Sequence, residues 1–306
     1  MKILVTGSSG QIGKNLIKSL SLDKTNTIVG FDIVPPDGDI LDCNLFDFFH
    51  VDLTNKDSIS KVKGVIFSAD CVVHLASSIE NSRNIFSLES MVEKDVASTM
   101  NLLSCIGNST YFIYSSSMMI YGHPSSTPIN EVHDTKPENM YGICKLYTEL
   151  LLDDIRQNKA ISIASLRFTG IYGTGEYFGD SKKRAIPSFI NRIKSGLSPE
   201  IYSDPTEKRD YLYIGDAIDA IIKCIKYRYN GSLNIGFGTS VTIAKLAQVL
   251  CSLINKKITP DIKFKGVVGE NSSDYALDIS RAHKEIFFVP KVDIEEGLKM
   301  EIERFE

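Results

Sequence analysis

The feature that most constrains the fold is a short apolar strand pattern, Lys2–Thr6, followed directly by the glycine-rich turn Gly7–Gly13 and an amphipathic helical pattern. The glycines have the spacing G-x-x-G-x-x-G. A strand, a glycine turn and a helix start form a phosphate site, because glycine lets the backbone approach a pyrophosphate and the free N–H groups at the helix start attract an anion. A tight turn without a ligand is the alternative. The pattern predicts that a dinucleotide binds at Gly7, Gly10, Gln11, Ile12 and Gly13.

The end of the next predicted strand, Thr27–Ile33, indicates which dinucleotide binds. Asp32 lies about 20 residues after the glycines, where a carboxylate accepts hydrogen bonds from both ribose hydroxyls of an adenosine. A carboxylate at this place also repels a 2′-phosphate, and no arginine follows Asp32. The pattern therefore favours NAD over NADP. An aspartate that serves only as a turn residue is the alternative.

Strand and helix patterns alternate along the chain, which predicts an α/β fold with a doubly wound, Rossmann-like parallel sheet. The run Cys71–Ala76 is continuously apolar, as in a parallel strand buried on both faces, and His74 within it is interpreted as a core histidine. We assign residues 1–170 and 210–238 to a NAD-binding domain, and 171–209 and 239–306 to a smaller, mixed α/β substrate domain. Further strands are predicted at Phe46–Val51, Tyr111–Ser115, Ile161–Arg167 and Leu233–Gly236, and helices over about 85–105, 139–157, 214–227, Ile243–Ile254 and Ile294–Phe305.

Tyr141 and Lys145 are four residues apart near the start of a helical pattern, so they lie on one face of the helix. A tyrosine hydroxyl has a pKa of about 10 and is a poor base at neutral pH. A neighbouring ammonium favours the phenolate, so the pair predicts a phenol that transfers protons near pH 7. Two unrelated surface residues are the alternative, although Tyr141 is the only tyrosine of the chain with a lysine at that offset.

Three consecutive serines, Ser115, Ser116 and Ser117, stand at the end of the predicted strand Tyr111–Ser115. In an open parallel sheet, ligands bind beyond the carboxyl ends of the strands. The serines are therefore expected to face the cofactor crevice, about 24 residues before Tyr141 along the chain.

Composition and charge exclude several other classes of function. The net charge of −4 argues against nonspecific binding to nucleic acid, and no apolar run approaches the roughly 20 residues of a membrane span. The chain enters a strand pattern at once, so we expect no signal peptide. The six cysteines are scattered, with no pair at metal-ligand spacing. They indicate buried thiols in a reducing compartment, so we expect a cytoplasmic protein without a metal site.

With these segments in place, the chain resembles the extended short-chain dehydrogenase/reductase family, in particular its NAD-dependent nucleotide-sugar epimerases and dehydratases of the UDP-glucose 4-epimerase type. The resemblance covers nearly the whole chain. The motifs that carry it are the turn Thr6–Gly13, Val51-Asp52-Leu53, His74-Leu75-Ala76, Tyr114–Gly122, Tyr141-Gly142-x-x-Lys145 and Arg209–Asp216.

The resemblance implies a role for each of these positions. Tyr141 would be the base, Lys145 would hold the nicotinamide ribose and lower the Tyr141 pKa, and Ser117 would hydrogen-bond the reacting oxygen beside Ser116. Arg209 is the best candidate for a contact with the substrate diphosphate. The resemblance further implies cofactor contacts at Asp52, which would meet adenine, and at Leu53, Leu75, Ala76, Ser115 and Phe168.

The two residues after the serines limit the chemistry that the resemblance implies. Dehydratases and decarboxylases of the family carry an acidic residue just after the catalytic hydroxyl, whereas this chain has Met118 and Met119. We therefore expect a 4-epimerase, which oxidises C4 of a nucleotide sugar and reduces it again. A reductase of nucleotide 4-keto sugars, or a dehydrogenase of another small alcohol, is the alternative. A non-catalytic dinucleotide sensor is a third reading of the fold.

Other segments depart from the family pattern. The chain has Asp95-Val96 where the family usually has Asn-Val, and Arg167-Phe168-Thr169-Gly170 lacks the family's asparagine. The lid segment 176–204 is short and contains the basic run Lys182-Lys183-Arg184, which is either a solvated face or a phosphate contact. By the same resemblance, the helices around 85–105 and 139–157 would form a homodimer interface.

Overall fold

Apolar segments with β-branched and aromatic residues form the strands of this chain, and amphipathic segments form its helices. The computed structural model describes residues 1–36, 38–41, 43, 45–77, 89–158, 161–174, 184–269 and 273–303. The strands are β1 (Lys2–Thr6), β2 (Thr27–Asp32), β3 (Phe46–His50), β4 (Cys71–His74), β5 (Tyr111–Ser117), β6 (Ile163–Phe168), β7 (Gly170–Tyr172), β8 (Glu200–Ile201), β9 (Lys208–Tyr213), β10 (Gly231–Ile235), β11 (Ser240–Thr242) and β12 (Asp261–Ile262).

The helices alternate with these strands over much of the chain. A π-helical turn, Val92–Ala97, precedes α4, and a 3₁₀ turn, Met118–Ile120, follows β5. The α-helices are α1 (Gln11–Leu20), α2 (Gly38–Leu41), α3 (Lys56–Phe67), α4 (Ser98–Leu103), α5 (Met140–Asn158), α6 (Ala185–Lys194), α7 (Ile214–Tyr227), α8 (Ile243–Ile254), α9 (Ser280–Ile286) and α10 (Ile294–Glu303).

Seven strands form a parallel sheet in the order β10-β6-β5-β4-β1-β2-β3, which confirms the predicted doubly wound α/β fold. Each face of the sheet is covered by its own apolar core. Residues such as Leu16 and Ile221 pack on one face, and Leu102 and Leu152 pack on the other. Strands covered on both sides need apolar residues at nearly every position, which explains the continuous run at Cys71–His74.

A smaller set of elements packs beside the carboxyl end of this sheet. It contains the three-stranded sheet β11-β9-β7 and the two-stranded sheet β12-β8. Its core includes Phe189 from α6, Leu246 and Leu250 from α8, and Leu298 from α10. The boundary that we placed at residue 210 falls inside β9, whereas β10 lies in the central sheet. The division into two domains stays a prediction.

Several bounds differ from those that the sequence predicts. The strand β5 runs to Ser117 rather than Ser115, and β4 ends at His74 rather than Ala76. The helix predicted over 85–105 contains the π-helical turn Val92–Ala97, which a search for a 3.6-residue period does not find. Residues 85–88 of that segment and residues 176–183 of the lid lie outside the described residues. In the ranges that are described, we find no helix with the length and apolar character that a membrane crossing requires.

Candidate functional site

The site lies where the chain order of the central sheet reverses. The strand β1 has β2 on one side and β4 on the other, so the loops after β1 and β4 diverge and leave a crevice at the carboxyl ends of the strands. The crevice has a volume of about 550 Å³ and extends to the smaller sheets. It is lined by Gln11, Ile12, Ser115, Ser116, Ser117, Met118, Met119, Asn139, Tyr141, Phe168, Thr169, Arg184, Arg209, Asp210 and Tyr211, among others.

The glycine turn after β1 fits a pyrophosphate. Gly7 has a φ of +68°, and a Cβ atom there would lie 2.7 Å from the backbone nitrogen of Ala76. A Cβ atom on Gly13 would overlap the Gly7 carbonyl oxygen. The helix α1 begins after Gly10 without a side-chain cap and has no acidic residue in its first turn. Its first N–H groups therefore remain available to an anion, which is the arrangement that a dinucleotide phosphate requires.

The carboxylate of Asp32 lies at the end of β2 beside this turn. It accepts hydrogen bonds from the backbone N–H groups of Ser9 at 2.9 Å and Val34 at 3.0 Å. These contacts fix the carboxylate beside the glycine turn. The side chain of Gln11 donates to the Gly173 carbonyl oxygen at 2.9 Å, so Gln11 offers a ligand chiefly its backbone N–H.

The two further segments assigned to the cofactor lie at neighbouring strand ends. Asp52 follows β3, and its Oδ1 atom accepts from the N–H and the hydroxyl of Thr54. Leu53 is buried in the core under this turn. Leu75 and Ala76 follow β4, and the Ala76 N–H donates to the Thr6 hydroxyl at 3.3 Å. The structure therefore brings both segments to the edge of the sheet that carries the glycine turn.

His74 is a satisfied core residue, as its apolar run predicts. It is 1% exposed, and its two ring nitrogens lie 2.6 Å from the Thr6 hydroxyl and 2.8 Å from the Thr99 hydroxyl. Burial, with a smaller effect of the Lys145 charge, lowers the pKa of His74 to about 3. The ring is therefore neutral at physiological pH and links β1, β4 and α4.

The three serines are the last residues of β5, because this strand ends two residues later than predicted. The Ser115 carbonyl oxygen accepts from the Lys145 ammonium at 2.9 Å. The Ser117 hydroxyl caps the 3₁₀ turn by accepting from the Met119 N–H at 3.2 Å. The Ser116 hydroxyl is buried and has no hydrogen-bond partner within the described ranges, so it is available to a ligand in the crevice.

The start of α5 places the tyrosine opposite these serines. Gly142 packs on the 3₁₀ turn so closely that a Cβ atom there would collide with the Met119 carbonyl oxygen. Asn139 accepts the Gly142 N–H at 2.9 Å and caps the helix. Lys145 is 2% exposed, with its ammonium 5.5 Å from the centre of the Tyr141 ring and 4.7 Å from that of Tyr114.

The electrostatics of the pair do not by themselves produce the lowered tyrosine pKa that the resemblance implies. Desolvation and, after it, the charge of Asp95 raise the pKa of Tyr141 to about 12, although Ser117 and Arg184 act to lower it. Desolvation also lowers the pKa of Lys145, an effect that Asp95 opposes. In the protein by itself, Tyr141 is therefore a phenol at neutral pH, and its ionisation needs further positive charge or hydrogen bonds at the site.

Two arginines approach the crevice from the substrate side. Arg209 forms an ion pair with Glu207, and its guanidinium lies 5.4 Å from the centre of the Tyr275 ring. Arg184 donates to the Gln11 side chain at 3.4 Å. The other members of the basic run, Lys182 and Lys183, lie outside the described residues. Phe168, 4% exposed, contributes to the wall beside Thr169.

Carboxyl groups are scarce in the crevice wall. Of the lining residues just named, Asp210 carries the one carboxyl group, and it accepts from the backbone N–H groups of Phe237, Gly238 and Leu277. Within the described ranges, no group of three His, Cys, Asp or Glu side chains is placed to hold a metal ion. The wall thus offers hydroxyls, a phenol and guanidinium groups.

The structure adds two site residues that reasoning from the sequence did not assign. Asn139 lines the crevice, and its position three residues before Gly142 is a helix-capping signal that the sequence contains. Asp95 is 2% exposed and acts electrostatically on both Tyr141 and Lys145. The signal for Asp95 was its departure from the family pattern, but its proximity to Tyr141 depends on the packing of the π-helical turn on α5.

Comparisons with known proteins agree with this geometry. The model of the NAD dependent epimerase/dehydratase family matches residues 3–236. A dTDP-4-dehydro-6-deoxyglucose reductase of Escherichia coli is 29% identical over 313 residues, which cover 97% of this chain and 95% of the relative. A putative UDP-glucose 4-epimerase of Methanocaldococcus jannaschii is 28% identical over 312 residues, which cover 97% of this chain and 96% of the relative.

Solved structures match the whole chain. The crystal structure of UDP-glucuronic acid 4-epimerase from Bacillus cereus, in complex with UDP-glucuronic acid and NAD, is 26% identical with a TM-score of 0.85, and the match covers 100% of both chains. The UDP-glucose 4-epimerase of Thermotoga maritima is 24% identical with a TM-score of 0.89, covering 100% of this chain and 98% of the other. The second likeness supports the fold alone.

Proposed function

Because the chain belongs to the NAD dependent epimerase/dehydratase family, NAD is its cofactor, and we propose that it is a nucleotide-sugar 4-epimerase. The observation that carries the proposal is that Ser117 and Tyr141 line the crevice together while the Lys145 ammonium lies 5.5 Å from the centre of the Tyr141 ring. A hydroxyl, a phenol and an ammonium are sufficient to move a proton at a sugar hydroxyl beside a nicotinamide.

The chain's own residues divide the work as follows. The Gly7–Gly13 turn and Asp32 would hold the pyrophosphate and the adenosine ribose, and Lys145 the nicotinamide ribose. NAD, when bound, would supply reversible hydride transfer at C4 of the sugar. Tyr141 takes the proton of the C4 hydroxyl and gives it back, while the Ser117 hydroxyl hydrogen-bonds the same oxygen. The remaining cofactor contacts would be Asp52, Leu53, Leu75, Ala76, Ser115 and Phe168.

The composition of the crevice wall favours epimerisation over dehydration. Elimination of water needs a second acid or base at a neighbouring carbon. Met118 and Met119 occupy the positions after Ser117 and cannot transfer protons. The Asp210 carboxylate is held by backbone N–H groups away from such a role. Tyr141 lies beside Ser117 and would carry out the proton transfer, which suits chemistry confined to C4.

The substrate would be a sugar linked to a nucleoside diphosphate. Relatives across the family are named for UDP and dTDP sugars. Arg209 and Arg184 would meet the diphosphate, since guanidinium groups bind phosphate oxygens in pairs. Ser116, whose hydroxyl is buried beside Ser117, would contact the sugar.

A second candidate function is the reduction of a nucleotide 4-keto sugar. The observation that favours it is the E. coli reductase, which is 29% identical over nearly the whole length of both chains. Reduction would use the same residues, but hydride and proton would move only towards the keto sugar. Tyr141 would then donate its proton to the keto oxygen, and reduced cofactor would be consumed with each turnover.

We also propose that the protein is a homodimer formed through α5. Ile143, Tyr147 and Leu150 are 43%, 54% and 59% exposed, and their spacing places them on one stripe of the helix. Val92, 45% exposed, lies on the adjacent π-helical turn. An apolar stripe of this kind on two neighbouring elements supports a helix-to-helix interface between two copies of the chain.

A single assay separates these functions. Purified protein is first tested for retained NAD and is then supplied with UDP-, dTDP-, GDP- and CDP-sugars without added cofactor. An epimerase interconverts C4 epimers with no net production of NADH. Turnover of keto sugars that consumes one reduced cofactor per product would instead establish the reductase. Retained NAD with no turnover of any alcohol or keto sugar would favour a dinucleotide sensor.

A further inference from the structure

The side chain of Gln11 links the glycine turn to the substrate side of the crevice. Gln11 is the first residue of α1, at the end where the pyrophosphate would bind. Its Nε2 atom donates to the Gly173 carbonyl oxygen at 2.9 Å, and its Oε1 atom accepts from Nη1 of Arg184 at 3.4 Å. Gly173 follows β7, and Arg184 is the N-cap residue of α6. One amide group therefore contacts two segments that are separate in the chain.

The Gly173 carbonyl group is a fixed partner for this amide. Gly173 is buried, and a Cβ atom there would lie 2.8 Å from the Tyr213 ring. A side chain one turn further along α1 adds a second contact, because Asn15 donates to the Thr174 carbonyl oxygen at 2.9 Å. A carbonyl oxygen only accepts and a guanidinium only donates, so both contacts of Gln11 require the same orientation of its amide group.

Arg184 is placed where such a contact affects the binding of a ligand. It is exposed and lines the crevice together with Gln11. An exposed arginine has many side-chain rotamers, and fixing it on a ligand costs conformational entropy. A contact that restricts the guanidinium before the ligand arrives lowers this cost. Gln11 therefore raises the affinity of the crevice for a phosphate group through Arg184, without its side chain binding that group.

We propose that Gln11 is a positioning residue for substrate binding, whose side-chain amide holds the Arg184 guanidinium at the place where the substrate diphosphate would bind. The inference rests on the proposed function, because it concerns the diphosphate of a nucleotide sugar. It gives a second role to a residue of the glycine turn. The backbone N–H of Gln11 serves the cofactor, and its side chain serves the substrate.

The test compares how variants of the NAD-saturated protein bind a nucleoside diphosphate. Isothermal titration calorimetry gives Kd of the wild type for UDP, dTDP, GDP and CDP, and the nucleotide that binds most tightly is the probe for the variants. Gln11→Met keeps the length of the side chain and removes both polar contacts. We expect it to raise Kd by about threefold to tenfold, the effect of one or two hydrogen bonds, and to retain NAD. An unchanged Kd in Gln11→Met overturns the proposal.

A double-mutant cycle separates positioning from a general structural effect. Arg184→Met is expected to raise Kd for the same nucleotide, because a phosphate contact is lost. In the Arg184→Met background, Gln11→Met is expected to raise Kd little further, since Gln11 acts through the side chain that is already absent. Equal fold-changes for Gln11→Met in the two backgrounds overturn the proposal, because they show that Gln11 acts independently of Arg184.

Two controls complete the experiment. Gln248→Met, at an exposed position of α8, makes the same chemical change and is expected to leave Kd unchanged. If Gln11→Met does not fold, Gln11→Ala takes its place in the cycle with the same expected results. A wild type that binds a nucleoside diphosphate no better than Gln11→Met refutes this inference and leaves the proposed function intact. A wild type that binds none of the four nucleotides refutes the proposed class of substrate, and this inference with it.

Discussion

At the scale of the residue, the reactivity of the site depends on the charges and hydrogen bonds around the Tyr141 phenol. The Lys145 ammonium lies 5.5 Å from the centre of the Tyr141 ring. Desolvation and the Asp95 charge raise the pKa of the phenol, whereas Ser117 and Arg184 act to lower it. A phenol with a pKa near 12 is about five units above neutral pH, so bound cofactor and substrate must supply much of the shift.

Replacing the phenol tests the role of Tyr141 as the proton carrier. We expect Tyr141→Phe to retain NAD and to lose turnover by about 10²- to 10⁴-fold, which is the range for loss of a general acid–base group. Steady-state kinetics and the bound-cofactor content of the purified protein measure the two effects. Tyr227→Phe, at the far end of α7, is the matched control. Turnover within a few fold of the wild type in Tyr141→Phe would remove this residue from the mechanism.

The glycine beside the tyrosine tests how tightly α5 must pack. Gly142→Ala places a Cβ atom against the Met119 carbonyl oxygen, so we expect loss of stability and displacement of Tyr141 from Ser117. Gly64→Ala, in α3, meets nothing within 4 Å and is expected to gain up to about 1 kcal/mol from helix propensity. Urea unfolding and turnover are measured for both. Equal stability of the two variants would contradict the packing argument.

At the scale of the element, we propose two different roles for the two faces of α5. One face carries Tyr141 and Lys145 to the crevice and buries Thr148 and Leu152 in the core. The other face exposes the apolar stripe formed by Ile143, Tyr147 and Leu150. Exposing a contiguous apolar stripe to water is unfavourable, and such stripes mark interaction surfaces. The stripe on α5 therefore supports a role as an interface.

A charge on that stripe tests the homodimer. We expect Leu150→Lys to convert the dimer to a monomer at micromolar concentration, because it removes up to about 2 kcal/mol of apolar burial per copy and introduces charges that face each other across the two-fold axis. Sedimentation velocity measures the change. Leu22→Lys, at a site 84% exposed after α1, is the control. A wild-type protein that sediments as a monomer would refute the interface.

Much of the arrangement of elements was predictable from local patterns. The helix Ile243–Ile254 has the predicted bounds, and the strands of the central sheet lie within a few residues of theirs. The predicted bounds that were wrong have physical reasons. The strand β5 extends to Ser117 because Ser115, Ser116 and Ser117 pair with β6, an arrangement that polar residues do not signal. The π-helical turn breaks the helical period around Asp95.

At the scale of the whole molecule, Asp210 joins the small sheet to the central one. Its carboxylate on β9 accepts N–H groups from Phe237 and Gly238, which follow β10, and from Leu277. The residue is 1% exposed, and desolvation raises its pKa from 3.8 to about 6 despite these hydrogen bonds. Asp210 also lines the crevice at this junction.

The raised pKa makes a specific prediction for stability. Between about pH 4 and pH 6, the folded state binds more protons at Asp210 than the unfolded state, so this residue's contribution to stability is full below pH 4 and is lost as the pH rises to 6. We expect the wild type to lose up to about 3 kcal/mol relative to Asp210→Asn over that range. Urea unfolding at several pH values measures the difference. The exposed Asp134→Asn serves as the control, and parallel curves for the wild type and Asp210→Asn would contradict the shift.

The sequence by itself determined the family and the cofactor and predicted the reactive pair, because each depends on residues close together in the chain. A glycine turn between strand and helix, an aspartate at a strand end and a tyrosine four residues from a lysine are local patterns with local physical causes. Only the tertiary structure decided the electrostatics. Asp95 lies 46 residues from Tyr141 in the chain, and Arg184 lies 43 residues away on the other side. Their effects depend on distance and burial, which exist only after the π-helical turn and α6 have packed around the crevice.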